Sequence, residues 1–316
     1  MRDWIPAFAG MTEEKGHIMS GISVDLVLDA KATLGEGPVW SVDEQRLYWV
    51  DIMKNAIHRT DPATGTDEVR DLGEQVGCLG LRAQPDARGN LVAALRSGFY
   101  YVDFDAGKKT FICDPENKPQ NRMNDGRCDP YGAFWAGSML DPSDRKTRTG
   151  AIWRLAPDGT ATMKVDDIGI ANGIAFDAER HYFYCADTYA DVQTVWRFDH
   201  DPDTGAISNR RVFVTTHDLP GRPDGACIDV EGCYWVALTS CWSIARFTPD
   251  GKLDRTIELP VQKPTMCVFG GADMATLFIT SMGFGYLPQA DGQPHAGGVF
   301  ACRPGVRGVA DGKFGG

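Results

Sequence analysis

The sequence has no block of basic residues, no C-x-x-C pair, no H-x-x-x-H pair and no apolar run of membrane-spanning length. Each absence removes a class. With 32 Lys and Arg against 43 Asp and Glu, the formal charge is −11. A chain so charged offers no footprint for a phosphate backbone or an anionic membrane surface, so neither nucleic acid nor membrane is an expected partner. The nine cysteines are odd in number and match no common zinc spacing, which argues against a disulfide framework and a thiolate metal site. Cys185, Cys227 and Cys267 lie in apolar runs, where a thiol packs as a small hydrophobe, and a reducing, cytoplasmic setting follows. The six histidines fall in strands, turns or tails. Without G-x-S-x-G there is no serine nucleophile elbow, and the Gly270-Gly271 and Gly297-Gly298 pairs read as turns rather than a phosphate loop. No long amphipathic helix is visible.

Turn formers and a repeat are what the chain does have. Its 36 Gly and 18 Pro are dispersed, as many short strands joined by turns require. Strand-like runs begin at Leu47, Leu91, Phe134, Tyr182, Tyr234 and Leu277, spaced by 44, 43, 48, 52 and 43 residues. A second, alternating run follows each and ends in an Asp/Pro/Gly turn, as in AIWRLAPDG from Ala151. A third column lies about ten residues before each: GPVW, LGLRA, DGRCD, NGIAF, DGACI and TMCVF. Six such units predict an all-β chain, a six-bladed β-propeller with four-stranded blades around a central channel. Ile22 to Leu28 (ISVDLVL) alternates and is suited to supply the outer strand of the last blade, closing the ring. Residues 21–316 then form a single propeller. Residues 1–20 are expected to be a disordered extension or a mis-annotated start, with Met11 and Met19 as later starting points.

The third column lines the channel in this architecture. Its polar members stand at nearly one height: Glu36 (47 − 11), Asn124 (134 − 10), Asn172 (182 − 10) and Asp224 (234 − 10). Asn or Asp beside Gly is also ordinary turn chemistry, so any one of the four has two explanations. Four in register point to an oxygen-rich site suited to Ca²⁺, Mg²⁺ or Mn²⁺, and able to hold Zn²⁺ or Fe²⁺ through carboxylates. Tryptophans 40, 49, 135, 153, 196 and 235 fall in strand columns and read as blade packing.

The segments LGEGPVW, RMNDGRCDPYGAFWAGSM, IANGIAF and RPDGACIDVEGCYWVA resemble the signature segments of the SMP-30/gluconolactonase/LRE family, in family order, over about residues 30–300. The resemblance implies a six-bladed propeller with one divalent metal ion in the channel. It implies that Glu36, Asn172 and Asp224 ligate the ion and that Asp224 also acts as general base. Asn124 would contact the substrate or a metal-bound water, and Arg122 would hold the substrate. The implied reaction is hydrolysis of a sugar (aldono-) lactone to the aldonic acid. The alternative is a non-catalytic, divalent-metal-binding regulatory propeller resembling regucalcin. One departure stands out: Pro142 occupies the place of a substrate-binding glutamate found in some members, with Asp141 beside it. The sugar-recognition pattern therefore differs from that of the animal proteins.

Overall fold

The computed structural model describes residues 17–18, 21–144, 146–283 and 292–316. Its strands form six sheets whose order follows the chain outward from the axis. Blade 1 comprises Gly35–Ser41, Arg46–Asp51, Ala56–Asp61 and Thr66–Asp71. The inner strands of blades 2 to 6 are Val76–Asp86, Asn121–Cys128, Ala171–Asp177, Arg222–Ile228 and Pro264–Gly270. Each runs antiparallel to its successor. Blade 6 closes the ring: Val24–Leu28, from the start of the chain, pairs with Val299–Cys302 near its end. The expectation for residues 1–20 falls outside the described residues, apart from His17–Ile18, which pairs in parallel with Leu253–Glu258 of blade 5. Among the described residues no helix is long and apolar enough to cross a membrane.

Burial explains the sequence columns. The inner strands are almost wholly buried, whereas an outer strand such as Thr66–Asp71 mixes exposed and half-buried positions. Apolar packing is divided into six clusters, one in each gap between neighbouring blades. Trp49, Trp135 and Trp235 are among the largest fully buried side chains. No single core fills the axis, so polar side chains can stand there without displacing apolar contacts. The nine cysteines are all unpaired, and eight are buried.

The two ends of the channel differ. At its base the C-terminal tail crosses from blade to blade: Gly308 N–H donates to Met274 O, and Phe314 N–H donates to Leu81 O. Arg127 pairs there with Asp311 of the tail and donates to Ala226 O at 2.7 Å. The tail leaves only about 20 Å³ of space beside Arg127 and Asp311. The other end opens into a cavity of about 400 Å³.

Candidate metal centre and active site

Every inner strand carries a β-bulge near the mouth. In blade 1 three steps from Glu36 to Val39 face two steps on the partner strand, from Val50 to Tyr48. Blades 3, 4 and 5 bulge likewise between Met123 and Gly126, Asn172 and Ala175, and Pro223 and Ala226. Blades 2 and 6 bulge at Gly77 and Thr265. A bulge bends the strand and re-aims its side chains, and it is how alternating strands turn polar groups toward the axis. Glycine follows Glu36 and Asn172 because the bulge backbone there is left-handed, with φ of 53° at Gly37 and 63° at Gly173. The Glu36-Gly37 and Asn172-Gly173 pairs therefore build the bulge and present a side chain to the channel at once.

Counting residues hid an offset. Glu36 and Asn172 are the last paired residues before their bulges, whereas Asn124 and Asp224 are the first unpaired residues within theirs. All four nonetheless line one cavity, together with Arg122, Asp141 and Pro142. The two blades without a polar channel residue act as supports. A side chain at Gly77 would meet the Met123 carbonyl carbon at 2.4 Å, so blade 2 packs bare backbone against the strand bearing Asn124. Thr265 of blade 6 donates to Gly35 O at 2.5 Å, beside Glu36.

A chain of hydrogen bonds runs through blades 3, 4 and 5. Arg122 Nη1 donates to Asn124 Oδ1 at 2.6 Å, and Asn124 Nδ2 donates to Asn172 Oδ1 at 2.9 Å. Asn172 Nδ2 then donates to Thr188 Oγ1 at 2.6 Å, and Thr188 donates to Pro223 O at 2.6 Å. Both amide groups are fixed in orientation, and Asn172 keeps a free lone pair on Oδ1. Asp125 braces the same region by accepting Ile174 N–H at 2.8 Å. Asp141 accepts from Arg96 at 2.7 Å and stands 3.8 Å from Arg122.

Glu36 and Asp224 are different. Both are buried, and among the described residues neither has an ion-pair partner. Burial, then the Asp224 and Asp125 carboxylates, push the Glu36 pKa well above its ordinary value. Burial, then Asp125, push Asp224 up to about 8. Two buried carboxylates, both pushed up by burial and by Asp125 and only partly relieved by nearby arginines, call for a cation, because uncompensated buried charge is expensive. The oxygen donors of Glu36, Asn172 and Asp224 fit a divalent ion on this ground.

A second group, Asp229, Glu231 and Cys233, also brings three ligand-type atoms within 4.8 Å of one another. Its charge is already met. Arg246 Nε donates to Asp229 Oδ2 at 2.8 Å, and Arg246 Nη2 donates to Glu231 at 2.5 Å. Asp229 also accepts Trp235 Nε1–H at 2.8 Å and the backbone N–H of Glu231 and Cys233. Asp129 repeats this arrangement in blade 3, with the N–H groups of Tyr131, Ala133 and Trp135. These are braces.

Sequence reasoning missed Thr188, Arg222 and Lys263, all of which line the cavity. The signal for Arg222 was present, since it precedes Asp224 by two residues as Arg122 precedes Asn124.

Comparison with known proteins follows the same lines. The chain is 39% identical over 293 residues to a 6-deoxy-6-sulfogluconolactonase of Pseudomonas putida, covering 92% of this chain and 98% of that protein. It is 38% identical to a pentonolactonase of Haloferax volcanii, covering 83% and 86% of the two chains. The solved structure of a calcium-binding protein, regucalcin, from Agrobacterium tumefaciens str. C58 matches with a TM-score of 0.85. That match has 27% identity over 93% of this chain and 97% of the other. Residues 34–283 match the SMP-30/Gluconolactonase/LRE-like region. On this evidence the chain belongs to the SMP-30/gluconolactonase/LRE-like family.

Proposed function

We propose that the protein is a divalent-metal-dependent lactonase that opens a sugar (aldono-) lactone to its aldonic acid. The observation that carries the proposal is the pair of buried carboxylates, Glu36 and Asp224, in no ion pair among the described residues and beside the amide of Asn172 in an open cavity. The relatives named as lactonases point the same way. Glu36, Asn172 and Asp224 would hold the ion, which when bound supplies Lewis-acid stabilisation for charge developing on the lactone carbonyl oxygen.

The remaining work belongs to the chain's own groups. Asp224 takes a proton from the attacking water as its oxygen bonds to the carbonyl carbon. It returns the proton to the ring oxygen as the ester C–O bond breaks. Arg122 and Asn124 form the blade-3 wall of the cavity, separated from Asp224's strand by blade 4, and orient the polyol. The hydrogen bond from Arg122 to Asn124 keeps that wall rigid. Pro142 and Asp141 both face the same cavity, so substrate recognition here proceeds without the glutamate found in some relatives.

The test is a pH-indicator assay with glucono-, galactono-, xylono- and arabinono-lactones, run with and without chelator. Metal-dependent acid release is the expected result. Tight metal binding without acid release would replace this reading with a non-catalytic, metal-binding propeller.

A further inference from the structure

The cavity has a second tier above the four channel residues. Side chains two apart on a strand share a face. The residues two positions ahead of Glu36, Asn124, Asn172, Asp224 and Thr265 are Leu34, Arg122, Ile170, Arg222 and Lys263, and all five line the cavity. The tier is therefore lopsided. Blades 1 and 4 contribute an aliphatic side chain, while blades 3, 5 and 6 each contribute a cation.

The three cations are not equivalent. Arg122 is engaged by Asn124, the Met123 carbonyl and, at 3.8 Å, Asp141. Arg222 and Lys263 stand on adjacent blades and are only half-buried. Among the described residues neither has a carboxylate within ion-pair distance. They are near neighbours: both line the cavity from adjacent blades, and Asp224 below them attracts each. Two cations facing each other across a concave wall repel unless something anionic lies between them. Glu36 and Asp224 do not fill that role once their two charges are balanced by a divalent ion.

We infer that Arg222 and Lys263 form a subsite for an anionic substituent of the lactone, carried on the sugar carbon farthest from the carbonyl. This rests on the lactonase reading above and narrows its substrate class to acidic sugar lactones. A sulfonate, a phosphate monoester and a carboxylate share the required chemistry. Arg222 suits the planar or tetrahedral oxygens of such a group through its forked donors, and Lys263 adds a point charge. The aliphatic Leu34 and Ile170 sides of the tier accept the uncharged ring face.

The experiment measures kcat/KM for the metal-loaded protein on four lactones of one sugar. One is neutral, and the others carry a 6-sulfonate, a 6-phosphate or a 6-carboxylate. At least one anionic lactone is expected to exceed the neutral one by roughly 10-fold or more, the range of a charge-assisted contact. Its KM should rise with NaCl, while that of the neutral lactone stays flat. R222Q and K263Q should each remove most of the preference, chiefly through KM, read as the ratio of kcat/KM on the anionic and neutral lactones. The ranking among the three anions identifies the group. Equal rates on neutral and anionic lactones, or equal losses on both in R222Q and K263Q, would overturn the inference while leaving the lactonase reading intact. If the metal-loaded protein opens none of the four, both readings fall together.

Discussion

The two ends of the channel are built from the same residue types and treat charge in opposite ways. At the base, buried charges are held in ion pairs. Arg127 pairs with Asp311, and Asp229 holds Arg246, the Trp235 N–H and two backbone N–H groups. At the mouth, Glu36 and Asp224 are as deeply buried, yet among the described residues neither is in an ion pair, and the pull of Arg122 and Arg222 offsets their burial only in part. Satisfied buried charge specifies structure, whereas unsatisfied buried charge stores a demand for a ligand. The comparison separates brace from site without reference to any relative. It also explains why the Asp229 cluster, rich in ligand-type atoms, is part of the scaffold.

Substitutions at either end should have separable consequences. At the mouth, Asp224→Ala is expected to lower lactone turnover by roughly 1,000-fold or more, since general base and ion site go together. Circular dichroism should stay near wild type, and the melting temperature in chelator should not fall, because a buried carboxylate is removed. At the base, Asp229→Ala takes one of three carboxylates from Arg246 and leaves the Trp235 N–H and the Glu231 and Cys233 backbone N–H groups without their acceptor. A loss of about 3–5 kcal/mol in denaturant unfolding is expected, with kcat unchanged in the protein that remains folded. If Asp229→Ala instead lowered kcat and left stability intact, the division between the two ends would be wrong.

Smaller effects sharpen the contrast. Thr188→Val removes the acceptor that orients the Asn172 amide. Ion affinity should weaken by about 10-fold, as for other groups that orient a metal ligand, which a calorimetric titration reads directly.

The pH dependence of the metal-free protein reads the Asp224 carboxyl directly. Asp224 sits near 8 in the fold against an ordinary value of 3.8. Between those values the folded state binds more protons than the unfolded chain, so stability is full at acid pH and falls as pH rises toward 8. The melting temperature in chelator should therefore drop between pH 5 and pH 8, and Asp224→Asn should flatten that slope. An unchanged slope in Asp224→Asn would place the titration elsewhere.

Much of the fold was legible in the sequence because a propeller repeats itself. Strand columns at LYWVD, FWAGSM and YWVALT recur at near-constant spacing, and the burial of Trp49, Trp135 and Trp235 is the packing they imply. Blade closure by Val24–Leu28 was legible for the same reason, as an alternating segment with no other partner. The four residues brought to one cavity were visible as polar interruptions of apolar strands.

What stayed hidden depends on backbone irregularity and on distant contacts. A bulge shifts register by one residue, so counting placed Asn172 and Asp224 alike although one precedes its bulge and the other lies within it. Thr188 acts through an amide on the neighbouring strand, and an isolated Thr after Asp187 carries no signal. Arg127 meets Asp311 from 184 residues away, and the tail that closes the base belongs to no repeat. Arg222 and Lys263 belong to no strand column of the sequence, and only the cavity brings them together.

The central claim is that Glu36, Asn172 and Asp224 hold one divalent ion on which lactone opening depends. The most direct test titrates chelator-stripped protein with Ca²⁺, Mn²⁺, Zn²⁺ or Mg²⁺ and follows bound ion and lactone turnover together. The account predicts that turnover rises in step with a single bound ion per chain, and that Asp224→Asn loses both. Full turnover in stripped protein, or stoichiometric ion binding retained in Asp224→Asn, would contradict it.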